Sequence, residues 1–323
     1  MRKKPSDIHK PYFLILVIVM MDVYINFPVD THVRKIAESI LQDFDLHWFP
    51  DYFDAEVQII KDRYVLGNRT KMIQTISAGV DHIDVAGIPD KIILCSNAGA
   101  YSISVAEHTF ALILSHAKNI IENNSLMKSG TFKQSPTTLL YGKTLGIVGY
   151  GGIGRRVAEI GKAFGMKIAA YTRSGADDNV DKLTDDVAEL FASSDMIVLS
   201  IPLTDKTKGM INYKILQKTK KNAFIVNVAR ADIVLKSDML RFLRENPDRW
   251  YLSDVWWDEP NIKDADLPNL ILSPHVAGGM SGEIMDTALR LAFENVKNFF
   301  DGHPRNVVKK EEYKMKSERF LGI

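Results

Sequence analysis

The chain has 323 residues, 46% hydrophobic and 25% charged, which excludes a disordered or fibrous polymer and, at about 100–200 residues per domain, predicts two domains. Lysine plus arginine number 41 and aspartate plus glutamate 40, so no net field draws the chain to nucleic acid or an anionic membrane. The one cysteine, Cys95, excludes an internal disulfide framework and a cysteine-rich zinc site; in Ile92-Ile93-Leu94-Cys95 it reads as a small buried hydrophobe.

At the N-terminus Arg2-Lys3-Lys4 precedes an apolar run over 12–20 that imitates a targeting signal. The run is far below the roughly 20 residues of a membrane span, and no small-x-small cleavage site follows it. Residues 1–20 are therefore set apart from the fold, as an extension ahead of a start near Met21 or as a lengthened first strand. A cytoplasmic protein without membrane contact is expected. Residues 23–27 read as a strand and 32–41 as an amphipathic helix. Short apolar runs follow at 57–60, 72–77 and 91–95, each bounded by turn residues. Residues 102–120 predict a long helix, with Ser104 and Glu107 in the S-x-x-E capping arrangement near its start. A polar stretch over 122–142 reads as an arm or linker.

Beyond it the pattern is strongly periodic, with no repeat of the kind that marks a solenoid. Apolar runs at 144–148, 167–171, 196–201, 223–227, 250–254 and 270–273 are interleaved with helical segments at 152–164, 184–191, 211–217 and 238–245. Six near-continuous apolar strands separated by helices predict a parallel sheet covered on both faces, a doubly wound α/β fold. An amphipathic helix over 283–300 then leads back toward the first half of the chain. That return predicts a larger unit over 99–280 and a smaller α/β unit joining 21–98 with 281–323.

Gly149-Tyr150-Gly151-Gly152-Ile153-Gly154 matches G-x-G-x-x-G, placed after a strand and opening a helix. In that context Gly149 permits the tight turn, Gly151 lets a pyrophosphate approach the backbone, and Gly154 lets helix and strand pack closely. The exposed amides and dipole of the helix N-terminus hold the anion. The turn predicts dinucleotide binding within the larger unit.

Later strands end in polar segments, at the sheet edge where ligands bind in open α/β folds. These are Val226-Asn227-Val228-Ala229-Arg230, Ser253-Asp254-Val255-Trp256-Trp257-Asp258-Glu259-Pro260 and Ser273-Pro274-His275-Val276-Ala277-Gly278-Gly279. At this point the chain resembles the D-isomer-specific 2-hydroxyacid dehydrogenase family, which carries a glycine fingerprint, then N-x-x-R-G, D-V-F-x-x-E-P and P-H-x-x-G. Ala78-Gly79-Val80-Asp81 is similar to the family's G-V-D loop, and Ser104-Val105-Ala106-Glu107 to its S-V-A-E helix start. The resemblance runs from about 21 to 302. It implies a Rossmann domain with a smaller flavodoxin-like substrate domain, and hydride transfer between NAD(P)H and a small 2-keto acid of the hydroxypyruvate or glyoxylate type. A homodimer is expected.

Reducing a 2-keto acid needs a cation for the carboxylate, a proton for the developing alkoxide and a hydride donor. Arg230 can hold carboxylate and keto oxygen with fork-shaped, charge-assisted bonds that lysine would not match. Histidine titrates near neutrality, so His275 can give the proton forward or take it back. A carboxylate such as Glu259 set against an imidazole favours its charged form. The resemblance further implies that the amides of Ala78 and Gly79 face the substrate carboxylate. It implies cofactor contacts at Gly152, Ile153, Pro202, Thr207, Val228, Ala229, Arg230, Asp254 and Gly278, with Asp254 near the nicotinamide carboxamide.

The chain departs from the family pattern at Ala231, Leu235, Met280 with Ser281, and Trp256-Trp257; the paired tryptophans suggest a larger and more apolar part of the site. His108, Leu112 and His116 share a helix face, which reads as a partly buried interdomain helix, and no H-E-x-x-H occurs, so no metal is expected. His82 lies beside the Ala78-Gly79 loop. A dinucleotide-sensing binding protein of the corepressor type is the alternative, and it draws little support from the near-zero net charge. The strand at 167–171 ends in Tyr171-Thr172-Arg173-Ser174, with no carboxylate until Asp177. NAD enzymes place an acidic residue there for the ribose hydroxyls, whereas Arg173 and Ser174 suit a 2′-phosphate. NADP(H) is therefore favoured over NAD(H).

Overall fold

The computed structural model describes residues 20–173, 175–279 and 282–314, so the reading of residues 1–19 as an extension lies outside it. The first half of the chain forms β1 (Met21–Asn26), α1 (Thr31–Ile40), β2 (Phe44–Trp48), β3 (Val57–Ile60), β4 (Met72–Thr75) and β5 (Ile93–Cys95). Asp30 caps α1 by accepting a hydrogen bond from the Val33 amide at 2.8 Å. The strands make a five-stranded parallel sheet in the order β2-β1-β3-β4-β5, the flavodoxin-like order. β3 and β4 are buried along their length, including Gln58 in the one and Gln74 and Thr75 in the other.

The second sheet is built from β6 (Thr144–Val148), β7 (Lys167–Tyr171), β8 (Lys182–Thr184), β9 (Met196–Leu199), β10 (Phe224–Asn227), β11 (Trp250–Ser253) and β12 (Leu270–Leu272). It is parallel throughout, in the order β12-β11-β10-β9-β6-β7-β8. Its helices are α2 (Ser102–Ala117), α3 (Ile120–Lys128), α4 (Gly152–Ala163), α5 (Val187–Ser193), α6 (Tyr213–Leu216) and α7 (Lys236–Glu245), with two buried clusters lying on the two faces. The doubly wound α/β fold is thus realised. The final helix, α8 (Gly282–Phe300), returns to the first sheet, where Leu289, Ala292, Phe293 and Val296 pack with Val23, Ile25, Val57 and Ile59.

The structure corrects several sequence expectations. The large sheet has seven strands rather than six; β8 is a short edge strand with Lys182 and Leu183 exposed, so it lacks the apolar run that marks the others. β2 went unread for the same reason, being only partly buried. The expected capping box does not form: α2 starts at Ser102 after Tyr101, and the Ser104 hydroxyl donates to the Ala277 carbonyl at 2.7 Å. Asn119, at φ +53°, breaks the predicted 102–120 helix and starts α3, so the stretch expected as an arm or linker begins helical. Asp186 caps α5 and Asn212 caps α6, which shortens both helices from the start expected of them. No helix of the described residues is long and apolar enough to cross a membrane.

Candidate active site

The direction of the chain across the large sheet reverses between β6 and β9, its neighbours in the centre, and the glycine turn leaves β6 at that crevice. Gly149 has φ +98°, and a Cβ there would fall 2.2 Å from Ile201 Cγ2. A Cβ on Gly154 would fall 2.2 Å from the Gly149 carbonyl oxygen, whereas one on Gly151 would meet nothing within 4 Å. The tight turn, the open approach and the close helix packing thus fall to Gly149, Gly151 and Gly154 respectively, as a bound pyrophosphate requires. Ile153 packs on the core behind the turn. Gly152 sits against Ser102, whose hydroxyl is buried without a hydrogen-bond partner; a Cβ on Gly152 would stand 2.5 Å from it. These residues fit a dinucleotide.

Arg230 follows β10 in an extended conformation. Asn227 shapes the turn before it, accepting from the Ala229 amide at 3.0 Å and donating to the Arg230 carbonyl at 3.0 Å. The guanidinium reaches across to the first sheet. Its Nε lies 3.1 and 3.0 Å from the two carboxylate oxygens of Asp81, and its Nη1 donates to the Ala229 carbonyl at 2.8 Å. Burial alone would push the Asp81 carboxyl up, but Arg230 outweighs it and holds that carboxyl below the usual range. Gly79 faces the same guanidinium, so closely that a Cβ there would fall 2.5 Å from Nη2. Arg230 and Gly79 thus lie together, with Asp81 as a further partner that the sequence reading did not identify.

Glu259 follows β11, the neighbour of β10, and His275 follows β12, the next strand out. His275 Nδ1 lies 2.9 Å from Glu259 Oε2. Glu259 also accepts from the Trp256 amide at 2.6 Å, which fixes the carboxylate against its own loop. Asp254, expected near the nicotinamide, is buried, and its oxygens accept from Ser273 Oγ at 2.6 Å and from the amides of Val276 and Ala277 at 3.0 and 2.8 Å. It thereby anchors the loop that carries His275 and Gly278. His108 Nε2 joins this network 2.8 Å from Ser273 Oγ. A cavity of about 420 Å³ adjoins the dyad, lined by Trp256, Ile262, Leu272, Pro274, Glu259 and His275.

Among the described residues, the remaining predicted cofactor contacts follow β7, β9, β10 and β12 along the same sheet edge. Val228 and Ala229 are buried in the turn before Arg230. Thr207 folds into its own loop, donating to the Pro202 carbonyl at 2.7 Å and accepting from the Thr204 amide at 2.8 Å. Ser174, Met280 and Ser281 lie outside the described residues. Arg173, just past β7, pairs with Glu312 Oε1 at 3.2 Å, a partner 139 positions away that no local motif announces. Asp177 is committed to the glycine turn, accepting from the Tyr150 hydroxyl at 2.5 Å and Arg155 Nη1 at 2.6 Å; the tyrosine contact leads in holding its carboxyl below the usual range. The tryptophans are largely structural: Trp256 is buried and donates to the Lys263 carbonyl, Trp257 to that of Val234. His82 stays with its own unit, 3.1 Å from the Lys61 carbonyl.

Residues 110–277 match the NAD binding domain of the D-isomer specific 2-hydroxyacid dehydrogenases. The D-3-phosphoglycerate dehydrogenase of Methanocaldococcus jannaschii is 36% identical over 79% of this chain, which spans about half, 52%, of that protein's length. The glycerate dehydrogenase of Methylorubrum extorquens is 34% identical, covering 74% of this chain and 78% of that one. A crystal structure of a glycerate dehydrogenase related protein from Thermoplasma acidophilum is 69% identical and matches with a TM-score of 0.69 over 87% of this chain and 100% of that one.

Proposed function

The chain belongs to the D-isomer-specific 2-hydroxyacid dehydrogenase family, whose matched domain binds a nicotinamide dinucleotide, and from that premise we propose that it reduces small 2-keto acids of the hydroxypyruvate and glyoxylate type to D-2-hydroxy acids. The observation that carries this reading is the 2.9 Å contact of Glu259 with His275 on the sheet edge that also bears Arg230 and the glycine turn. When bound, the reduced nicotinamide supplies the hydride. Arg230 holds the substrate carboxylate, together with the backbone of Ala78 and Gly79. With Nδ1 donating to Glu259, His275 uses Nε2 to give its proton to the keto oxygen as the alkoxide develops. General acid help of this kind is typically worth about 10²–10⁴-fold.

The reading assigns the sheet of β1–β5 with α8 to substrate and the sheet of β6–β12 to the cofactor. It takes NADPH as the preferred cofactor, on the support of Arg173 and the lack of a carboxylate in Tyr171-Thr172-Arg173. A cytoplasmic homodimer goes with it; Phe132, Leu139 and Tyr141, exposed between α3 and β6, offer an apolar surface for a second copy. Loss of NADPH absorbance against a panel of 2-keto acids tests the proposal. Turnover with hydroxypyruvate or glyoxylate is the expected result. Tight cofactor binding without turnover on any acid would overturn it in favour of a sensor.

A further inference from the structure

The last described residues leave the first sheet and cross to the second. Residues 306–308 run along β5, with the Val308 amide donating to the Leu94 carbonyl at 2.8 Å. A short 3-10 turn, Lys310–Glu312, follows, and the Lys310 ammonium donates to the carbonyls of Pro89 and Ile92 at 2.6 and 3.0 Å. The other end of the segment is fixed to the loop after β9. There the Asp205 amide donates to the Glu312 carbonyl at 3.0 Å, and the Lys314 amide to Asp205 Oδ2 at 2.8 Å. Tyr313, between them, packs against the cluster around Ile60 and Val80, and its phenol is pushed up to about 12, first by burial and then by the charges of Asp81 and Glu312. This anchoring delivers the Glu312 carboxylate to Arg173; Glu312 is 13% exposed and Arg173 66%.

The end of the second strand of a dinucleotide fold ordinarily carries its own acidic residue for the adenosine ribose, and Tyr171-Thr172-Arg173 has none. We propose that Glu312 is a cofactor-discriminating residue, a carboxylate supplied from the far end of the chain that competes with a 2′-phosphate for the Arg173 guanidinium. The inference rests on the reading of Arg173 as the phosphate-facing group. A phosphate must draw Arg173 away from Glu312 and lie beside a like charge, whereas a ribose hydroxyl can donate to that carboxylate. Arg173 alone would favour the phosphorylated cofactor more strongly than Arg173 with Glu312 does.

Calorimetric binding of adenosine 2′,5′-bisphosphate and of 5′-AMP isolates this end of the cofactor without turnover. Glu312→Gln is expected to tighten the bisphosphate about fivefold relative to 5′-AMP, the scale of an exposed ion pair. The gain should vanish when Arg173→Gln is added. An unchanged ratio in Glu312→Gln, or an equal gain in the absence of Arg173, overturns the proposal. If Arg173→Gln alone weakens the bisphosphate while Glu312→Gln changes nothing, the NADPH reading stands and Glu312 has no such role. If Arg173→Gln leaves the ratio unmoved, both fall together. Should Glu312→Gln fail to fold, Glu312→Asp withdraws the carboxylate by one methylene and should shift the ratio the same way by less; no shift there counts equally against the proposal.

Discussion

Arg230 and Arg173 leave the same edge of the same sheet, past β10 and β7, and each meets a carboxylate far away in the chain, Asp81 and Glu312. Their settings differ. Asp81 is 9% and Arg230 23% exposed, and one guanidinium nitrogen spans both oxygens of the carboxylate. Arg173 is 66% exposed and touches Glu312 at a single 3.2 Å contact. Water and salt screen the outer pair over about 8–10 Å and reach the inner one far less. The same guanidinium group is thus held firmly in the Asp81 pair and loosely in the Glu312 pair.

The largest break in this comparison comes from the inner arginine. Arg230→Ala removes the cation proposed for the substrate carboxylate and leaves Asp81 buried without it, a change that costs about 3 kcal/mol of stability when a buried pair loses one member. Turnover and thermal stability should therefore fall together. His275→Ala separates the two: turnover should drop by about 10²–10⁴-fold with cofactor affinity and melting temperature close to those of the parent protein. Steady-state kinetics beside thermal melts decide between these patterns. An Arg230→Ala protein as stable as the parent would show that Asp81 does not depend on the pair.

How far the sequence disclosed this arrangement follows from how local each interaction is. The glycine turn, Arg230, Glu259 and His275 were legible because each lies at a strand end within a short motif. Asp254 was expected near the nicotinamide, but its use as an anchor for the Val276 and Ala277 amides was not legible, since a motif does not say which way a carboxylate turns. Glu312 was invisible: it reaches Arg173 only because Lys310 and Asp205 fix the segment on either side. In the fold, β2 and β8 were missed because partly exposed edge strands lack the apolar run that identified their neighbours.

A smaller effect reads the inner pair through pH. Because the Asp81 carboxyl is held below its ordinary range in the folded state, its contribution to stability is fully present above about pH 4 and is lost as the pH falls through the folded value. Asp81→Asn should therefore lower the melting temperature at neutral pH, with the difference from the parent shrinking on acidification. Asp22, held low by His47 and Arg69, and Glu56, held low by Arg69, keep a slope in both proteins, so the difference between them is the quantity to follow. Melts between pH 3 and 7 provide it. A difference that stays constant across that range would remove Asp81–Arg230 as a stabilising pair.

The outer arginine gives the smallest effect on stability and a selective one on binding. Arg173→Asp places a carboxylate where NAD enzymes ordinarily carry one, and it sets a second negative charge near Glu312. A 2′-phosphate would then face repulsion in place of a charge-assisted bond, while a ribose hydroxyl would gain an acceptor. NADPH binding should weaken more than NADH binding, and the melting temperature should move little, because an exposed ion pair contributes at most about 1 kcal/mol. Raising the salt concentration should narrow the cofactor preference of the parent protein, since the outer pair and its phosphate competitor both lie within reach of screening, whereas binding of the keto acid at Arg230 should respond less. Comparing kcat/KM for the two cofactors at low and high ionic strength tests both halves of this expectation. A clear preference of the parent protein for NADH would remove Arg173 as a phosphate ligand and leave the inner pair and the His275–Glu259 dyad untouched.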